Sequence, residues 1–174
     1  DLGAQKGLTG VDVIVAVLWP GDSRWGPLAY AGEERDADES AATLAKTILG
    51  RMPSVRRASF VAHSLGSRGT MQTASFLRGS RVALGEVVLM AAAVDRDALA
   101  RPDRYRLATE ACTRVSNLSS SEDQVLKWAF PFGDGLGAIL FGGYTRGPLG
   151  LVGPTGGDGR GVPPNVLARP IPPL

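Results

Sequence analysis

One cysteine, one histidine and no long apolar run set the first boundaries on this 174-residue chain. The lone Cys112 excludes an intramolecular disulfide. The lone His63 leaves no Cys/His cluster for a metal, so no metal or cofactor is expected. No apolar stretch reaches membrane-spanning length, and no signal peptide is visible. No run of Lys or Arg is long enough to form a nucleic-acid track. The net charge of +2 is the small difference between 19 basic and 17 acidic residues. "RMPSVRR" is a short basic patch that reads as a solvated loop.

What remains is an ordinary globular composition, 44% hydrophobic and 21% charged, with length enough for one domain and one core. The chain opens with Asp1 in place of Met, and "DLGAQKGLTG" reads as the tail of a helix or loop. We therefore expect a fragment, a single partial domain over residues 1–174. No motif names a compartment or an oligomeric state.

Strands are predicted at 11–20 (VDVIVAVLWP) and 85–94, both of the buried type, and as short strands at 57–62 and 113–119. Helical spacing joins Ala41, Leu44, Ala45, Ile48 and Leu49, with Asp38 or Ser40 as cap and Gly50 at the end. A second helix spans 66–79 and closes at Gly79. Loop plus helix follows over 95–112, and "SEDQVLKWAF" reads as a helical turn or two capped by a serine. Alternating strand and helix at this spacing predicts an α/β fold with a mostly parallel sheet. From Pro131 onward lie 12 of the 23 glycines and 8 of the 12 prolines, so 131–174 reads as mostly loop. The exception is a strand at 165–171, whose Pro170 suits a sheet edge or strand end.

One stretch carries chemistry: "SFVAHSLGSRGT", residues 59–70. An apolar strand ends, Ser64 stands between the small residues Ala62 and Gly66, and a helix begins. A nucleophilic serine on such a turn is held in a strained backbone that lifts its hydroxyl off the sheet. The Leu65 N–H, at the start of the helix, is then one oxyanion donor. The plainer alternative is that Ser64 caps the helix.

"AHSLGS" after an apolar strand resembles the α/β-hydrolase superfamily. Residues 13–49, "VVLMAAAVDRDAL" and "RVSNLSSSEDQVLKWA" further resemble a bacterial family of predicted serine hydrolases of unassigned function. The likeness covers most of residues 11–125; Gly21-Asp22 departs from it, since that family has a serine after Trp-Pro. The resemblance implies a three-layer sandwich, incomplete at the N-terminus and also at the C-terminus, and an esterase- or lipase-like activity on carboxylic esters or lipids. It implies the order Ser, acid, His. Two acids stand at strand ends in that order, Asp123 (with Glu122 beside it) and Asp95; both also suit a helix start. The family histidine would lie beyond Leu174, and the second oxyanion donor before Asp1. His63, adjacent to the serine, points elsewhere and is expected to be a bystander. Trp19, Trp25 and Tyr30, on the strand end and loop beside the serine, are candidates to wall an acyl pocket. "GPTGGDGRG" lacks the Gly-Lys-Ser/Thr ending of a phosphate loop and is read as a flexible loop. The rival to an enzyme is a non-catalytic binding domain that kept the scaffold and lost the histidine.

Overall fold

A computed structural model describes residues 14–17, 30–124, 126 and 147–172. Helix α1 spans Tyr30–Arg51, strand β1 Arg57–His63 and helix α2 Gly66–Leu77. Strand β2 is Ala83–Met90, helix α3 Arg106–Ala111 and strand β3 Arg114–Ser119. A single helical turn, α4, covers Leu149–Val152, and strand β4 is Val166–Pro170. The four strands form one sheet in the order β1-β2-β3-β4, every pair parallel. The fold is therefore α/β with a parallel sheet, as the strand–helix alternation implies.

Register decides which residues are buried, because side chains alternate across the sheet. One row runs Phe60–Val87–Val115–Val166 and the next Ala62–Leu89–Asn117–Ala168. On the two central strands these positions are fully buried. They share a core with Ala45 and Ile48 of α1, Met71, Ala74 and Leu77 of α2, and Ala108 of α3. Burying a Leu or Met side chain in such a core stabilises by about 1.5–3 kcal/mol. The opposite row, Val61–Val88–Ser116–Leu167, is more open, and Val61 is 72% exposed.

Helices α1 and α2 approach closely through small residues. Ala37, Ala41 and Ala45 are buried, and the Ala37 carbonyl lies 3.5 Å from where a Cβ on Gly69 would stand. Thr73 Oγ1 donates to the Gly69 carbonyl at 2.8 Å and to the Ala41 carbonyl at 3.4 Å.

Several boundaries differ from expectation. The cap foreseen at Asp38 or Ser40 is interior, since α1 begins at Tyr30. Asp38 instead accepts two hydrogen bonds from Arg68, from Nε at 3.1 Å and Nη2 at 2.9 Å, and so ties α1 to α2. The strand foreseen at 85–94 stops at Met90 because Ala91 adopts φ 46°. Residues 92–94 then bond to α4: Leu149 N–H donates to the Val94 carbonyl (2.8 Å) and Gly150 N–H to the Ala92 carbonyl (2.9 Å). Helix α4 itself lies in the glycine-rich region read as loop. Of the strand foreseen at 11–20, residues 14–17 are described and exposed, outside any strand; the rest lies outside the described residues. Helix α2 does end at the foreseen place, with Gly79 at φ 76° one residue past its C-cap. Among the described residues no helix is long and apolar enough to cross a membrane.

Candidate active site

In a parallel sheet all strands end on one edge, where an open α/β fold gathers its binding groups. Ser64 stands on that edge, directly after β1 and two residues before α2. Its φ is 51°, in the left-handed region that a residue with a Cβ adopts at a cost of about 1–2 kcal/mol. Leu65 returns to right-handed geometry (φ −62°, ψ −24°) and starts the helix without any side-chain cap. The plain reading of Ser64 as a capping serine therefore fails on geometry.

Neighbouring strand ends hold the strained turn. Ser64 N–H donates to the Met90 carbonyl at 2.9 Å, and its own carbonyl accepts from Ala93 N–H at 3.2 Å and Ser67 N–H at 3.0 Å. The backbone of Ser64 is thus pinned to the end of β2 and the segment after it, while its side chain keeps partial exposure. Leu65, by contrast, is buried. Its N–H makes no hydrogen bond among the described residues, which leaves a donor at the N-terminus of a 12-residue helix.

The two candidate acids sit on the same edge. Asp95 lies two residues past Ala93, bridges antiparallel to Pro148, and is partly buried. Asp123 follows β3. Its Oδ1 accepts the Leu126 N–H at 2.9 Å, so it caps the turn for which a serine was foreseen. Ser120 serves three residues earlier, its Oγ accepting the Glu122 N–H at 3.3 Å. Leu126 packs with Ala93 and Leu151. A continuous set of contacts therefore leads from the Ser64 carbonyl through Ala93 and Leu126 to the Asp123 carboxylate.

His63 closes β1 on the exposed face, opposite Met90 in register, and makes no hydrogen bond among the described residues. Beside it a cavity of about 430 Å³ opens between β1, α1, α2 and residues 15–17; Val15, Val17, Leu44, Val61, His63 and Thr70 line it. Tyr30 is the first residue of α1, not part of a loop. Trp19 and Trp25 lie outside the described residues. No group of three His, Cys, Asp or Glu able to hold a metal occurs among the described residues.

Sequence reading missed two contributors. Ala93 holds Ser64 only through its N–H, and any residue except proline supplies one. Ala91 takes a positive φ with no glycine or asparagine to announce it. Gly150 makes room for it, since a Cβ there would collide with the backbone of Ala91 and Ala92. No protein-family model, curated protein or solved structure matches the chain.

Proposed function

We propose that Ser64 is the nucleophile of a serine hydrolase acting on carboxylic esters or lipids, on a three-layer α/β-hydrolase scaffold. The observation that carries this reading is the φ of 51° at a serine between a parallel strand and a helix. A side chain is held in that strained conformation by the end of β2 and the segment after it, which is the backbone price of presenting a hydroxyl at a sheet edge. The Leu65 N–H, without a partner among the described residues, supports oxyanion binding at the helix start. The apolar-walled cavity flanked by His63 and Gly66 gives an acyl group somewhere to lie.

In this reading Ser64 Oγ attacks the ester carbonyl carbon as its proton passes to a base. The ester C–O bond then breaks, the alcohol leaves with that proton, and water releases the acid from Ser64. Asp123 or Asp95 orients that base. The chain's one histidine stands on the exposed face of β1 with no bond to Ser64, so His63 is not placed as that base. Taken alone, the chain is expected to turn over esters slowly. The same histidine deficit favours a second reading, a binding domain that kept the turn without the chemistry.

Intact-mass analysis after exposure to a fluorophosphonate, with and without imidazole as a surrogate base, separates the two. One adduct that imidazole accelerates and Ser64→Ala abolishes is the expected result. An adduct unchanged in Ser64→Ala would remove the assignment, and no adduct under either condition would favour the binding domain.

A further inference from the structure

The net charge of +2 conceals a strong asymmetry. Residues 40–85 contain seven basic residues and no acidic one, whereas the rest of the chain holds 12 basic and 17 acidic. Folding brings most of this charge to one end of the molecule. Arg51 closes α1, Arg56 and Arg57 lead into β1, Arg78 is the C-cap of α2, and Arg81 lies in the turn before β2. All five are exposed.

Their proximity is fixed by bonds among these segments. Arg81 donates to the carbonyls of Leu49 (2.9 Å), Met52 (3.1 Å) and Val55 (2.7 Å), and Ala83 N–H donates to the Arg56 carbonyl at 2.8 Å. Arg51, Arg57 and Arg78 have no ion-pair partner among the described residues. The nearest acid in sequence, Glu86, is engaged by Arg114. Two large apolar side chains are exposed beside the arginines: Leu49 (37%) in the last turns of α1 and Phe76 (47%) in the last turn of α2.

We propose that this end of the molecule docks on an anionic phospholipid surface. Guanidinium groups match phosphate oxygens in pairs. A bilayer interface also takes up apolar side chains set among cations, which is the combination found here. The arginines come from three segment ends lying side by side, which suits a broad charged plane. The proposal rests on charge and fold and is independent of the role of Ser64. Docking in this way leaves the strand ends facing water, because β1 carries the chain about 20 Å from Arg57 to Ser64.

The test is co-sedimentation of the full chain with phosphatidylglycerol–phosphatidylcholine vesicles against phosphatidylcholine alone, at low and high salt. Binding to the anionic vesicles only, weakened by salt, is expected. The triple variant Arg51→Ala/Arg57→Ala/Arg78→Ala should bind on the order of a hundredfold more weakly, from about 1 kcal/mol per residue near an anionic surface. Single Arg51→Ala and Arg78→Ala variants, at exposed helix ends, should each lose roughly fivefold and serve if the triple variant fails to fold. Arg160→Ala, outside the patch, should bind as the parent does. Absence of binding, equal binding to neutral vesicles, or an unaffected triple variant would overturn the proposal. So would preference for duplex DNA or polyglutamate over anionic vesicles at the same salt.

Discussion

The carbonyl of Ser64 accepts the N–H of Ala93 at 3.2 Å, while the Ser64 N–H reaches back to the Met90 carbonyl at 2.9 Å. The end of β2 and the segment after it therefore bracket the strained residue on both sides. The turn is held from outside itself, which is how a φ of 51° persists at a residue with a Cβ.

Replacing that Cβ is the direct check. Ser64→Gly is expected to leave stability unchanged or raise it by up to about 1 kcal/mol, because glycine adopts positive φ freely. Ser64→Val should lower it by about 2 kcal/mol, since a β-branched residue tolerates that φ least. Urea midpoints of the three proteins decide it; a Val variant as stable as the parent would contradict the strain.

Gly150 supports the same edge by having no side chain. In Gly150→Ala the new methyl would meet the backbone of Ala91 and Ala92, which has no rotamer with which to give way. A loss of about 1–3 kcal/mol is expected in thermal or urea unfolding. Gly159→Ala sets the contrast: no neighbour lies within 4 Å, so its cost comes only from a φ of 73°.

Arg81 is the cap of α1 in all but sequence proximity. Its guanidinium collects carbonyls from the last turn of that helix and from the following turn. Arg81→Met should destabilise by about 1–3 kcal/mol, since buried or helix-end carbonyls lose a charged donor. Arg81→Lys should recover part of it, and hydrogen exchange at residues 48–52 should report the fraying.

The two candidate acids can be told apart from mere caps. Asp123→Asn retains a capping oxygen and is expected to cost little stability, whereas Asp123→Ala should cost about 1 kcal/mol. If Asp123 also orients a base, Asn should depress ester turnover while the fold stays intact. Asp95→Asn in parallel shows which carboxylate matters.

Cys112 supplies a pH dependence. Burial pushes its thiol up from 9.0 to about 11, because the thiolate is poorly solvated there. The unfolded chain ionises first as pH rises, so this contribution is whole below pH 9 and is lost toward pH 11. Stability should fall across that window by on the order of 2 kcal/mol. Cys112→Ala should flatten the fall, and the parent thiol should react slowly with disulfide reagents at pH 8.

The strands were legible because their apolar runs are short, β-branched and set off by glycine or polar turns; β1, β3 and β4 lie within a residue or two of expectation. Ser64 was legible because small residues on both sides of a serine are a steric requirement written in side chains. The end of β2 was not, since "MAAAV" continues the apolar run while Ala91 turns the backbone away. Nor was the start of α1, because Asp38 satisfies the composition of a cap and yet is used to hold Arg68. Backbone partners such as Ala93 leave no trace in composition at all.

The order β1-β2-β3-β4 also has a meaning in time. Among the described residues every strand lies beside the described one made before it, so during synthesis this part of the sheet can be extended in a single direction. The longest delay falls before β4, whose strand must return across residues 120–165. That last addition is also the least buried of the four, which makes it the place where the assembled sheet should first come apart.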